Sequence, residues 1–143
     1  MYTLECAATL TAPVGALWKV WSDIDRFPEW DPLEEHSHLD GPLKVGVTGY
    51  SKARKLPGGP FTIVAVEDGS SWTARGPLPG GELLIEYRLS PQEDGQVLAR
   101  VRYQAHGPSS PVFRFALAPR LRREWPGVFV ALEARARQLD ADE

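Results

Sequence analysis

The chain has one cysteine, Cys6, and one methionine. A lone cysteine excludes an internal disulfide and any zinc site built on cysteines. Cys6 itself reads as a small core residue of a strand. No apolar run approaches the length of a membrane span, so no integral membrane segment is expected. The opening MYTLECAATL alternates and lacks the basic-then-apolar order of a secretory leader. These absences lead us to expect a cytoplasmic protein. Strong charge is missing too: the formal net charge is −3, which argues against a general nucleic-acid binder. There is no nucleophile elbow and no recognisable Ser, His, Asp order. Gly58-Gly59 and Gly80-Gly81 match no phosphate motif and lead into no helix, so they read as hairpin turns. His36 and His38 share a strand face and, with His106, would be the only start of a metal site. Nothing else supports one, so they read as surface residues, with His36 a distant candidate for acid–base work. No metal and no cofactor are expected. Glu34 and Glu35 are adjacent and point to opposite sides, so no inward carboxylate pair can be placed.

What is present is enough for one globular domain over residues 1–143. Apolar residues make up 43% and charged residues 24%. A chain of this size buries roughly 70% of its unfolded surface, so it needs no staples. The most unusual stretch is PVGALWKVWSDIDRFPEWDP, from Pro13 to Pro32, which holds three of the five tryptophans. Leu17, Val20, Trp21 and Ile24 recur at the spacing of one helix face. Thr11 is expected to cap that helix, with Pro13 in its first turn. Asp23 closes it. Asp25 is expected to cap a second, one-turn helix that ends at Trp30-Asp31-Pro32.

Around this pair the period is two. Tyr2 to Thr11 alternates, with Leu4, Cys6, Ala8 and Leu10 on one face. A weaker strand is expected at Leu33–Leu39, a better one at Val47–Leu56, and further strands at Phe61–Glu67 and Ser71–Gly76. Glu82–Leu89 and Val97–His106 alternate most clearly. Leu83, Ile85, Tyr87 and Leu89 oppose Glu86 and Arg88; Val97, Val101 and Tyr103 oppose Arg100 and Arg102. Turns every eight to twelve residues between such strands indicate an antiparallel meander. The four charges are expected to pair across strands on the wet face. After His106 the period becomes helical. Ser110 is expected as N-cap and Pro111 as first residue of a helix reaching Leu139. Pro119 and Pro126 lie inside it, and a kink or a break is expected at each.

The order is strand, two short helices, about six further strands and a long helix. With Trp18, Trp21, the Asp23–Asp25 turn, Phe27-Pro28-Glu29-Trp30, Gly46, Gly95 and Leu132-Glu133 in place, the whole chain resembles the polyketide cyclase/dehydrase-like branch of the START/Bet v 1-like (SRPBCC) superfamily. The resemblance implies an α+β helix-grip fold. A curved antiparallel sheet of about seven strands would wrap around the C-terminal helix and enclose an apolar cavity. The unaided pattern agrees, because a sheet apolar on one face needs a cover and only the last helix is long enough.

Trp30, Tyr50, Trp72, Ile85, Tyr87, Val101, Tyr103 and Phe113 are the expected lining of that cavity, with Phe115 also near its mouth. A flat apolar ligand could stack there, oriented by tyrosine hydroxyls. Three functions follow from this. The first is carriage or sensing of a small hydrophobic ligand, lipid-like or aromatic. The second is cyclase or dehydrase-like chemistry on an aromatic substrate, which needs at least two polar side chains converging in the cavity. The third is a protein-interaction or chaperone-cofactor module. Eight arginines against two glutamates between Arg100 and Arg137 motivate it. Arg120, Arg122 and Arg123 would then form a basic rim for an acidic partner.

Overall fold

A computed structural model of the chain describes residues 1–142. The elements are β1 (Tyr2–Leu10), α1 (Val14–Ser22), a 3-10 turn (Ile24–Arg26), α2 (Phe27–Trp30), β2 (Glu34–Leu39), β3 (Thr48–Ala53), β4 (Gly59–Glu67), β5 (Ser71–Leu78), β6 (Gly81–Pro91), β7 (Val97–His106), α3 (Ser110–Val112), a π turn (Phe113–Leu117) and α4 (Ala118–Ala141). The strands form one antiparallel sheet of seven in the order β1-β7-β6-β5-β4-β3-β2. The sheet curls around the C-terminal helix, and α1 and α2 follow the first strand. This is the helix-grip arrangement.

Period-two sequence produced the central strands. β7 alternates buried and half-buried residues along its whole length, with Val97, Ala99, Val101, Tyr103 and Ala105 inward. Its wet face pairs charges as expected. Arg100 bonds Glu86 at 2.8 Å, Arg88 also reaches Glu86, and Arg102 bonds Glu5 on β1 at 2.5 Å. The helical spacing of Leu17, Val20 and Trp21 buries that stripe of α1 against α4 and the sheet. The indole N–H of Trp72 on β5 donates to the Trp21 carbonyl at 2.7 Å, which ties α1 to the sheet.

Three helix ends differ from expectation. Thr11 does not cap α1: Pro13 is the N-cap residue, and no side chain bonds the helix start. Instead Glu133 on α4 accepts from the Thr11 N–H (2.8 Å), the Thr11 hydroxyl (3.0 Å) and the Ala12 N–H (2.7 Å). A carboxylate from a distant element outcompetes a local hydroxyl because it satisfies several donors at once. Asp25 does not cap α2, which starts after Arg26; its carboxylate accepts the Leu39 N–H at 2.6 Å, joining the 3-10 turn to β2. Ser110 lies just inside α3 rather than before it, and its hydroxyl donates back to the Gly107 carbonyl at 2.6 Å.

The prolines also act differently from a break. Before Pro119 the helix widens into the π turn, where the Ala118 N–H bonds the Phe113 carbonyl. Pro119 has no N–H to give the preceding turn, so the ladder shifts register without ending. Pro126 lies within α4, which continues past it. It sits on the exposed side, where water can satisfy the carbonyl that the ring frees.

Burial opposes ionisation of Glu133, but its donors at Thr11 and Ala12 and the nearby Arg137 outweigh it, so the carboxyl is held below its usual range. A lowered folded pKa gives stability that is present above the unfolded value and lost as pH falls through the folded one. Glu133→Ala is therefore expected to cost about 2 kcal/mol at neutral pH, within the usual range for bonds to a charged group. Urea denaturation should show the deficit shrink below about pH 4, where the wild-type carboxyl protonates too.

Candidate functional site

α4 lies over the β1–β7 side of the concave face. There Trp125 donates its indole N–H to the Tyr103 hydroxyl at 2.9 Å, and Val101, Leu132 and Phe113 are sealed in the core. α1 packs on part of β5 and β6 through Trp21, and no helix covers the rest of the inward faces of β3 to β6. Between them lies a cavity of about 470 Å³. Phe61, Trp72, Ala74, Ile85, Tyr87 and Leu117 supply most of its apolar wall. Its mouth is framed by the β3–β4 turn, the β5–β6 turn and the π turn that carries Leu117. Arg120 on α4 reaches across to the β3–β4 turn and donates to the Arg54 carbonyl at 2.6 Å.

The back wall is aromatic. Trp72 stacks on Tyr87 with ring centres 4.4 Å apart, Trp21 meets Tyr87 edge-on at 5.0 Å, and Phe27 lies parallel to Tyr87 at 6.0 Å. Such pairs fix ring positions beyond what burial alone would do. The Tyr87 hydroxyl has no hydrogen-bond partner among the described residues. Burial, with the Asp31 and Glu34 carboxyls adding to it, pushes its pKa well above the usual phenol range, so it is a neutral donor.

Two carboxyls lie close together here, Glu34 in the cavity wall and Asp31 buried behind it. Glu34, at the start of β2, faces the cavity and accepts the Ser51 hydroxyl at 2.5 Å. Burial raises its pKa from 4.5 to about 7, and the charge of Asp31 adds to the rise. Asp31 is 4% exposed and accepts the Leu33 N–H at 2.8 Å. Burial raises its pKa from 3.8 to about 6, opposed by the Leu33 bond and by Arg54. A carboxylate pair thus exists where none could be placed from sequence. Asp31 reads there as a helix stop, and only the turn closed by the Glu34 N–H on the Asp31 carbonyl (3.2 Å) brings the two together. Glu35 points outward to Lys52 at 2.7 Å.

Of the expected lining, Trp72, Ile85 and Tyr87 face the cavity. Val101, Tyr103 and Phe113 lie under α4 in closed core, since strand period fixes the face but not where a helix covers it. Trp30 packs edge-on against Phe27 at 5.4 Å, outside the cavity. Tyr50 is 41% exposed on the outer face, near the His36 ring; Gly49, Ser51 and Ala53 are the inward set of β3. TGYSKA carries no apolar alternation, so its register was not legible. Phe115 also points out, at 72% exposed. His38 lies between Asp25 and Asp40, each at 3.2 Å. Among the described residues no three His, Cys, Asp or Glu side chains gather in a metal-binding group. No helix among them is long and apolar enough to cross a membrane. Of the expected basic rim, Arg120 is engaged with Arg54 and Glu124, Arg122 bonds the Tyr2 hydroxyl at 2.5 Å, and Arg123 is exposed.

A curled seven-stranded sheet gripping a C-terminal helix, with an apolar cavity beside it, defines the START/Bet v 1-like class of hydrophobic ligand-binding folds. Residues 1–138 match the family described as polyketide cyclase / dehydrase and lipid transport, and the chain belongs to that family. No curated protein matches the chain in sequence. Among solved structures it is similar to a protein of Mesorhizobium loti (17% identity, 96% of this chain and 98% of that one, TM-score 0.73). It is also similar to norcoclaurine synthase of Thalictrum flavum bound to a transition-state analogue (12% identity, 97% and 96% covered, TM-score 0.73). A third is the two-domain aromatase/cyclase of the steffimycin biosynthetic pathway (12% identity, 94% and 48% covered, TM-score 0.68). At these identities the likeness is one of fold.

The raised carboxyls set a pH dependence of opposite sign to that of Glu133. A carboxyl whose folded pKa lies above its unfolded value favours the protonated folded state, so its contribution to stability falls as pH rises between the two values. For Glu34 that window runs from 4.5 to about 7, and for Asp31 from 3.8 to about 6. Glu34→Gln is expected to flatten the melting temperature against pH across the Glu34 window and to be more stable than wild type at pH 8. An unchanged slope would show that Glu34 is solvated.

Proposed function

We propose that the chain binds a small, flat, largely apolar ligand carrying one polar group in this cavity, as a carrier or sensor. The observation that carries the reading is an apolar pocket lined by an unpartnered phenol, Tyr87, and by the half-buried Glu34 carboxyl. Its volume lies within the range of small-molecule sites. The aromatic wall suits a ring system, and Tyr87 and Glu34 suit a ketone or hydroxyl on it. The family description, which includes lipid transport, is in keeping with an apolar cargo.

A second reading is favoured by Glu34 lining the cavity together with Tyr87, its pKa pushed up by burial to about 7. Near neutral pH both its forms are populated, as acid–base catalysis requires. The Tyr87 O–H would bond a substrate carbonyl oxygen and stabilise charge developing there. Glu34 would take a proton from the adjacent carbon and return one to a departing hydroxyl. This is cyclase or dehydrase-like chemistry on an aromatic substrate, and it uses the two converging polar groups that such a reading requires.

Isothermal titration with 2-naphthol, oleate and 1-anilinonaphthalene-8-sulfonate tests binding. At least one is expected to bind. Tyr87→Phe should weaken a hydroxylated or ketone ligand about tenfold, the loss of one good hydrogen bond. Leu117→Trp should fill the mouth and abolish binding. Affinity unchanged in both variants would place the ligand elsewhere and overturn the proposal. Under the second reading, Glu34→Gln keeps binding but loses turnover.

A further inference from the structure

The helical run begins at the same end of the barrel as the cavity mouth. Strand register shows this: Tyr2 pairs with Ala105, Ala105 with Leu83, and Leu83 with Gly76, next to the β5–β6 turn at the mouth. At this end two large apolar side chains stand in solvent on one face of the widened helix, Phe115 at 72% and Val112 at 63% exposed. They are three residues apart, as neighbours on a helix surface are. Isolated exposed apolar residues need no explanation, but these two come with a specific surround. The Arg114 guanidinium lies over the Tyr2 ring (5.6 Å) and the Phe115 ring (5.2 Å), and Arg122 bonds the Tyr2 hydroxyl. Arg114, Arg122 and Arg123 have no acidic partner among the described residues. Lys55, in the β3–β4 turn at the mouth, has none either.

The opposite end of the barrel carries the reverse charge. Glu67, paired with Arg88, ends β4 and Asp68 follows it in the turn, the β6–β7 turn holds Glu93 and Asp94, and α4 runs out towards Asp140. A chain of net charge −3 is thus polarised along its axis, with Arg114, Arg122 and Arg123 near its most exposed aromatic side chain and Lys44 alone without an acidic partner at the acidic end among the described residues.

We infer that the mouth end docks on an anionic lipid bilayer, with Phe115 and Val112 entering the interface and Arg114, Arg122 and Arg123 lying against phosphate head groups. Charge complementarity and the apolar tip together select this occupant. An acidic protein would meet the arginines but would gain little from a protruding Phe115. The polarity of the barrel turns the same end toward an anionic surface and the acidic end away. The cavity would then open at the bilayer, since Leu117, one turn from Phe113, lines it from the same π turn.

Flotation with vesicles of phosphatidylcholine, with and without phosphatidylglycerol, tests the inference on the full chain. Binding is expected only to the anionic vesicles and should weaken as salt rises. Phe115→Ser should weaken it about tenfold, the scale of one lost aromatic burial. Arg114→Glu and Arg123→Glu should each weaken it fivefold or more. Glu93→Lys, at the far end, should leave it unweakened. All four positions are exposed, so the variants are expected to fold. No binding by the wild type, or equal binding by Phe115→Ser, overturns the inference; capture of an acidic protein by a chain that ignores vesicles does so too. 2-Naphthol affinity measured on Phe115→Ser separates the two proposals, because that side chain is outside the cavity.

Discussion

Seven strands spaced about 4.8 Å apart span roughly 30 Å, while a helix with its side chains is about 10 Å across. Even on a strongly curled sheet, one helix cannot cover the whole concave face. The covered part is the β1–β7 side, where Trp125, Leu132 and Phe113 close on Val101 and Tyr103. The uncovered part, from β3 to β6, must be filled by other means or left open. Trp72, Tyr87, Trp21 and Phe27 fill its floor, and above them the cavity remains. The site follows from an imbalance between sheet and cover.

That imbalance also explains the electrostatics. A carboxyl on a solvated strand keeps its ordinary pKa, but Glu34 opens β2 at the cavity wall and Asp31 is buried beside it. Removing water from both raises both, and the Asp31 charge adds to the rise at Glu34. Arg54 offsets only part of this at Asp31, while Lys52 serves Glu35 and Arg120 spans the mouth to the Arg54 carbonyl. The wall is left with one acid whose pKa is raised to about 7 and a phenol that does not ionise.

Legibility in the sequence followed physical period. β6 and β7 were readable because a half-buried strand forces alternation, and the face of α1 because burial forces helical spacing. The long final helix was readable from Pro111 to Leu139 through Pro119 and Pro126, but not the form of its adjustment, since a π turn and a kink remove the same hydrogen bond. Caps were misread at Thr11, Asp25 and Ser110 because a side chain's choice between a local N–H and a distant partner depends on tertiary placement. The cavity was legible as a class and only partly in its lining. Trp72, Ile85 and Tyr87 were placed by strand period. Val101 and Tyr103 share that period yet lie under α4, a fact of helix position that no strand encodes. Glu34 was seen as the opposite of Glu35; its coupling to Asp31 arises from a single turn.

The central claim is that the uncovered half of the sheet forms an open, ligand-receiving cavity. Methyl-resolved NMR of the protein titrated with 2-naphthol tests it most directly. The account predicts shifts and intermolecular Overhauser contacts at Ile85, Leu83 and Leu117, which line the cavity, with Val101 and Leu132 unmoved. Contacts confined to exposed Val112 or Val130, with the Ile85 and Leu117 methyls silent, would contradict it.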